Sequence, residues 1–311
     1  MHGFTAAPRR SCVIDTKYYS LIKVVETGSY TKAARSLSLS QPAVSQHIRL
    51  LENELGIRIF ERTHNRSTLT KEGKIVVQYV RRMVALQDHL ERDLKNEKNR
   101  ITSLTIGITH TAESNSIVEA LAAYVNMNDG MNIKIVTEST DQLYHMLKNY
   151  ELDFALVEGK VSDTSLNSIL LDTDCLVLAV SPQHKLASRN SISISELKNE
   201  KLILRLPNSN TRSLFSTSLE QRNLSIEDFN VILEIDNIAA IKDLIRRDFG
   251  VSVLAKSACM DEIRKKKIYA LSIENLSMER EINLVYTKDF EHPGLLQDIA
   301  GKYHEMRKDT I

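Results

Sequence analysis

Residues 28–56 read GSYTKAARSLSLSQPAVSQHIRLLENELG. Two short helical stretches are joined by a polar turn. Ser40 offers a capping hydroxyl to the second stretch, and Pro42 sits in its first turn, where a missing N–H costs nothing. At 100° per residue, Val44, Ile48, Leu51 and Leu55 share one narrow face, which should meet a core of Val25, Ala33, Ala34 and Leu37. The small Ala33 and Ala34 let the two helices approach closely. Roughly opposite lie Pro42, Ser45, Gln46, Arg49 and Asn53. A merely solvated helix is more often rich in Glu and Lys. Hydroxyl, amide and guanidinium groups can instead exchange hydrogen bonds with base edges. The pattern is that of a helix-turn-helix, whose second helix enters the major groove of DNA.

Working outward, residues 15–27 place Tyr18, Leu21, Ile22 and Val25 at helical spacing and stop at Gly28, a residue suited to a left-handed helix end. Residues 57–70 predict a hairpin: apolar Ile57, Ile59 and Phe60, a polar tip at 63–67, a return through Thr68 and Leu69, and arginines at 58, 62 and 66. Thr70 then caps a long helix with Glu72 in its first turn, where a carboxylate meets the positive dipole end. Val76, Val80, Met83, Gln87, Leu90 and Leu94 follow at alternating steps of four and three, a coiled-coil seam with one polar entry. The seam predicts pairing with a second copy of the chain; packing within its own domain is the alternative.

The 311 residues, 42% of them hydrophobic, suffice for two or three domains with proper cores. Between Thr31 and Lys71 seven basic residues face three acids, net +4 in a chain of net +1, so the remainder carries −3. A basic head on a mildly acidic body suits a phosphate-binding module fused to something else. Cys12, Cys175 and Cys259 are too few and scattered for a disulfide framework or zinc site, and read as free thiols of a reducing cytosol. A redox switch between Cys175 and Cys259 has only their presence behind it. No uncharged apolar run approaches the ~20 residues of a membrane span. Residues 1–14 lack an apolar segment after Arg9 and Arg10, and read as a disordered leader or an early start.

Beyond a charged junction at 95–100 the pattern alternates. Strands are predicted at 104–108, 133–137, 154–157, 176–181, 201–204, 231–235 and 251–254, with helices at 118–125, 142–149, 212–222 and 238–247. Alternation argues for α/β layers with parallel-rich sheets, and about 210 residues suggest two small lobes.

The stretch from Tyr19 to Gly73 resembles the winged helix-turn-helix of LysR-type transcriptional regulators. The likeness is carried by Val25 and Glu26, Gly28 and Ser29, Ala33 and Ala34, the run Ser40, Gln41, Pro42, Ala43, Val44, Ser45, then Ile48, Leu51, Leu55, Gly56, the trio Phe60, Glu61, Arg62, and Leu69 with Thr70. It continues less tightly through residues 152–157 and through Ser181, Pro182, His184, Leu186 and Ala187. Where the family usually has a Gly-Ile-apolar-x-x-Pro turn, this chain has Gly250, Val251, Ser252, Val253, Leu254 and Ala255.

The resemblance implies an N-terminal winged helix-turn-helix over 15–72, a dimerising linker helix over 73–97, and a C-terminal α/β effector-binding domain over 101–311 with two lobes like a periplasmic binding protein. Lobe I would comprise 101–172 and 274–311, lobe II 173–273. By motif position Gln41, Pro42, Ser45 and Gln46 would meet bases, Arg49 a base or phosphate, and Arg62 in the wing the minor groove or backbone; Thr31 and Arg66 complete the expected DNA contacts. Many members have Arg or Lys where this chain has Gln46, which implies a different base preference, since amides favour adenine and guanidinium groups guanine.

A ligand between two such lobes lies at strand ends and helix N-termini. Thr109, His110 and Thr111 follow the first strand; Ser209, Asn210 and Thr211 open a later helix; Glu158 ends the strand at 154–157. The resemblance adds that positions matching Thr109, Thr111 and Asn210 contact the effector or an anion in its place. Ordinary capping is the alternative for the threonines, a solvated loop acid for Glu158. A Glu158 in the cleft would disfavour a simple dicarboxylate and favour a ligand with a hydrogen-bond donor. His110 has no carboxylate or nucleophile beside it and reads as structural.

The chain has no G-x-S-x-G, glycine-rich phosphate loop, H-E-x-x-H or paired cysteine motif, so no catalysis, metal or cofactor is expected. A transport binding protein would leave the first hundred residues unexplained, and an architectural DNA protein would leave the α/β body unexplained. The expectation is a cytoplasmic, ligand-responsive regulator that reads an inverted-repeat promoter site as a dimer or dimer of dimers. Its partners would be double-stranded DNA, a small-molecule effector and RNA polymerase, with no membrane. Ligand would act by favouring one arrangement of protomers.

Overall fold

The structure, a computed structural model, describes residues 14–63, 66–99, 102–114, 117–290 and 292–308. The expected leader, with Cys12, lies outside the described residues apart from residue 14. The chain divides into an N-terminal unit up to residue 100 and a larger unit beginning at residue 101, with 148–151 grouped with the first.

In the first unit, α1 (Thr16–Thr27) starts where the Asp15 carboxylate accepts from the Lys17 N–H and ends at Gly28 with φ 61°. Ser29 caps α2 (Tyr30–Ser36). Ser40 accepts from the Ala43 N–H to start α3 (Gln41–Leu55), and Gly56 closes it at φ 65°. Leu21 and Ile22 of α1 pack with Ile48 and Leu51 of α3, while Val24, Ala33, Ala34 and Val44 form the adjoining cluster. Two expectations need correction. Leu55 is 50% exposed, because α3 outruns the core packed beneath it. Leu37 is half-buried and belongs to neither cluster, whereas Val25, also half-buried, packs against Leu21, Ile48 and Leu51 as expected.

The hairpin consists of β1 (Phe60–Thr63) and β2 (Arg66–Leu69), antiparallel with Phe60 opposite Leu69, so the strands extend further into the expected polar tip. Glu52 ties it to α3 by accepting from the N–H groups of Ile59 (2.7 Å) and Phe60 (3.2 Å). The long helix α4 (Lys71–Asn99) opens on Thr70, whose hydroxyl accepts from the Gly73 N–H at 2.8 Å and donates to the Arg58 carbonyl at 2.6 Å. Gly73 lies so close to the preceding chain that a Cβ there would stand 2.1 Å from the Ile59 carbonyl oxygen.

The expected seam on α4 holds at Leu90 and Leu94, which are exposed, but not at Val80 and Gln87. Val80 is buried with Leu21, Ile48 and Ile59, and Gln87 is also buried, its amide donating to Glu91. The apolar stripe left exposed runs through Ile75, Tyr79, Leu86, Leu90 and Leu94. The first turns of α4 must cover the helix-turn-helix core, and this shifts the free face to Ile75, Tyr79 and Leu86 before it rejoins the expected line at Leu90.

The second unit opens with β3 (Thr102–Ile108), α5 (Ile117–Met127), β4 (Met131–Thr137), α6 (Thr140–Lys148) and β5 (Phe154–Glu158), with β3 parallel to both β4 and β5. Then comes β6 (Leu166–Val180), 15 residues long. It is followed by β7 (Ser191–Ile192), α7 (Ile194–Leu197), β8 (Leu202–Leu204), α8 (Asn210–Glu220), β9 (Val231–Glu234), α9 (Ile238–Arg246), β10 (Ser252–Ala255), α10 (Lys256–Arg264) and β11 (Tyr269–Ile273). Finally β12 (Glu279–Thr287) runs antiparallel to both β5 and β6, and α11 (Pro293–Lys308) follows.

Leu104, Ile106, Phe154, Leu284 and Leu296 centre one lobe; Leu178, Leu197, Phe215, Val253 and Leu271 centre the other. Their sheets meet through β6, whose first part pairs with β12 and whose last residues pair with β10 and β11. The expected boundary at 172/173 falls inside β6, and that at 273/274 at the end of β11. The antiparallel partners make the sheet mixed rather than parallel-rich. Asp172 and Asp174 interrupt the apolar alternation and hide the start of β6 from sequence reading. Each has a partner: the Tyr303 hydroxyl donates to Asp172, and Asp174 accepts from Arg280 (3.3 Å) and from the N–H and hydroxyl of Ser257. Asp174 thereby caps α10, which begins at the family's absent proline with no side-chain cap of its own at Ala255.

Gly73→Ala should destabilise the N-terminal unit although alanine is the better helix former by about 1 kcal/mol. The clash is with backbone, so we expect a net loss on the order of 1–3 kcal/mol in urea unfolding; a gain in stability would contradict the packing described here.

Candidate functional site

Two places gather the chemistry, one in each unit. On α3 the buried line of Val44, Ile48 and Leu51 forces the opposite line outward. Gln41, Pro42, Gln46 and Arg49 are exposed, Ser45 is half-buried, and the Gln41 amide donates to the Ser45 hydroxyl at 2.9 Å. Thr31 is exposed in the first turn of α2. A groove of ≈660 Å³ between α3 and the hairpin is lined by Gln41, Ser45, Arg49, Arg58 and Glu61 among others. Arg58, counted from the sequence only as one of the hairpin arginines, therefore lines the same groove as Gln41, Ser45 and Arg49. Arg62 and Arg66 lie on β1 and β2, but their side chains lie outside the described residues.

In the second unit a cleft of ≈190 Å³ opens between the lobes. Lobe I supplies Thr109, His110 and Thr111 after β3, Glu138, Ser139 and Thr140 after β4, and Glu158 at the end of β5. Lobe II supplies Arg205 after β8, Asn208, Ser209 and Asn210 at the start of α8, and Asp236 after β9. Six of the seven residues expected here are thus brought together. The seventh, Thr211, is buried off the cleft lining, because the first turn of α8 points it into lobe II.

Thr109 takes the capping role, its hydroxyl accepting from the Ala112 N–H at 3.2 Å, and it also donates to the Glu158 carboxylate at 2.7 and 2.8 Å. Glu158 is 5% exposed, a buried acid rather than a solvated one. Ser209 caps α8 by accepting from the Arg212 N–H, and the positive end of that helix faces the cleft. The Asn210 amide reaches across to lobe I, donating to the Thr140 hydroxyl at 2.7 Å and to the Glu158 carbonyl at 3.4 Å.

Sequence spacing does not flag Arg205 or Asp236. Arg205 is 2% exposed and its Nη2 donates to Asp236 at 2.8 Å, while its Nε and Nη1 have no partner among the described residues. The available signal was position: Arg205 ends an apolar strand just as Glu158 does. A larger groove on lobe II, ≈570 Å³, has only exposed charges, Arg222 and Glu279, on its walls. Among the described residues no cluster of His, Cys, Asp and Glu is arranged for a metal ion.

Comparison with known proteins assigns a family to each unit. The family described as "Bacterial regulatory helix-turn-helix protein, lysR family" matches residues 17–74, and "LysR substrate binding domain" matches residues 98–302. The HTH-type transcriptional regulator CysL of Bacillus subtilis (strain 168) is 27% identical over 88% of this chain and 93% of its own. A "Probable RuBisCO transcriptional regulator" of Thalassiosira pseudonana is 29% identical over 84% and 87%. Among solved structures, CbnR, a LysR family regulator, superposes with TM-score 0.66 at 17% identity over 95% of this chain and 98% of that one. A full-length OxyR variant from Pseudomonas aeruginosa gives 0.65 at 18% identity over 93% of each. With both halves matched in order, the chain belongs to the LysR family and is a ligand-responsive, DNA-binding transcription regulator.

Proposed function

We propose that the chain reads an inverted-repeat promoter site with the exposed face of α3 and is controlled by a small molecule in the interlobe cleft. The observation that carries this is the division of α3 into a fully buried apolar line and an outward line of Pro42, Ser45, Gln46 and Arg49. These groups suit major-groove edges, and the Gln46 amide favours adenine where a guanidinium group would favour guanine. Arg58 beside the groove, with Arg62 and Arg66 in the wing, adds phosphate contacts that set register without specifying sequence.

An inverted repeat needs a twofold reader. The exposed stripe of Ile75, Tyr79, Leu86, Leu90 and Leu94 on α4 is the surface we assign to pairing with a second copy, and a dimer of dimers would follow from further contacts. Ligand enters between lobes joined by Asn210 and Thr140, and shifts the assembly only by its differential affinity for two arrangements. RNA polymerase is the partner such an assembly would address, and the cytoplasm its place of action. No helix among the described residues is long and apolar enough to cross a membrane. The reading calls for no catalysis and no cofactor.

A thiol-based switch finds no support. Burial raises the pKa of Cys175 and pushes that of Cys259 up to about 12, which withholds the reactive thiolate.

Three outcomes follow. Arg49→Ala should weaken binding to a duplex selected in vitro by the intact chain by about 1–3 kcal/mol and flatten preference at one position; an unchanged footprint in fluorescence anisotropy removes Arg49 from the interface. Thr109→Val, which takes away the hydroxyl held by Glu158, should reduce the ligand response of the DNA complex about tenfold, and an unaltered response moves the pocket elsewhere. In the native chain Cys259 should stay unmodified by iodoacetamide at neutral pH, as read by peptide mass spectrometry; rapid labelling would reopen the redox alternative.

A further inference from the structure

We propose that the cleft takes a small zwitterion, a molecule with one ammonium and one carboxylate group such as an α-amino acid. Its ammonium would lie on Glu158 and its carboxylate on Arg205. The inference rests on the cleft being the effector site.

The walls carry opposite unmet demands. An ionised carboxylate offers about four acceptor sites, yet Glu158, 5% exposed, receives from side chains among the described residues only the single Thr109 hydroxyl, shared between its two oxygens. No Lys or Arg among the described residues pairs with it. A charge so enclosed is costly without a cationic donor. Across the cleft Arg205, 2% exposed, gives Nη2 to Asp236 and leaves Nε and Nη1 without a partner. Nη1 and the second N–H of Nη2 share one edge of the guanidinium plane, which matches a carboxylate in two parallel hydrogen bonds. The N-terminus of α8, opened by Ser209, adds partial positive charge on the same wall.

Other ligand classes answer only part of this. A dicarboxylate would set its second anion against Glu158 and the neighbouring Glu138. A simple amine would leave Arg205 with Asp236 as its only partner, and a neutral sugar would in addition give Glu158 no cation. The ≈190 Å³ of the cleft restricts the ligand to a small metabolite. Because Glu158 belongs to lobe I and Arg205 to lobe II, such a ligand would span both walls and favour the arrangement in which they face each other.

Isothermal calorimetry on the full chain tests this with the twenty standard amino acids, the amine and the carboxylic acid matching each, and succinate. At least one amino acid should bind, with its amine and its acid at least about tenfold weaker. Glu158→Gln and Arg205→Gln should each weaken that binding about ten- to a hundredfold. If Arg205→Gln does not fold, as judged by circular dichroism, the isosteric Glu158→Gln alone decides. The proposal is overturned if no amino acid binds, or if an amine or acid lacking the other group binds as tightly. Succinate binding that Thr109→Val abolishes would overturn the zwitterion and keep the cleft as effector site. Binding insensitive to Thr109→Val, Glu158→Gln and Arg205→Gln alike would remove the cleft itself.

Discussion

The antiparallel pairing of β6 with β12 is the interaction on which the effector half of this molecule depends. β6 runs unbroken from lobe I into lobe II, and β12 joins it to β5 at the other edge. The register shifts between Ile282 and Asn283, a bulge that bends a strand locally where the lobes part. Just beyond it the Asp174–Arg280 pair, each side chain 4% exposed, fixes β6 to β12 and also caps α10 through Ser257. Breaking such a pair by removing one partner leaves a buried charge uncompensated, so its two halves are held together. The cleft is the consequence: β5 delivers Glu158 to one wall, and β8 delivers Arg205 to the other.

Function follows from asymmetry in what each unit buries. In the N-terminal unit burial is mainly apolar and the buried polar groups Ser20 and Gln87 are uncharged, while the polar line of α3 is presented to a partner outside the chain. In the effector unit the buried line includes charges. Glu158 and Arg205 are enclosed but incompletely answered, and the proposed ligand would supply the missing groups. An interlobe contact that depended on ligand in this way would give the assembly two states of different affinity, as control by a small molecule requires.

How much of this was legible in the sequence depends on the range of the forces involved. Helix ends are local, and Asp15, Gly28, Ser40, Gly56 and Thr70 stand where capping places them; of these only the Asp15 cap went unremarked. Sheet order is not local, so β11, β12 and α11 passed unnoticed, and Asp172 and Asp174 made the middle of β6 look like loop. Periodicity on α4 was correct in phase at Leu90 and Leu94 but not before them, because the choice of exposed ridge there depends on which ridge the core takes. Arg205 and Asp236 carry meaning only once the lobes bring them opposite Glu158. By contrast Thr109, Ser209 and Asn210 were visible as polar residues at strand ends and helix starts, the positions where α/β lobes hold ligands.

Hydrogen exchange on the full chain, with and without the amino acid that binds it most tightly, tests the central claim most directly. Ligand across the two walls predicts slowed exchange in residues 109–112 and 205–213 together, from opposite lobes. Protection confined to the lobe II groove around Ser218, Asn275 and Glu279, or to one wall of the cleft alone, would contradict it.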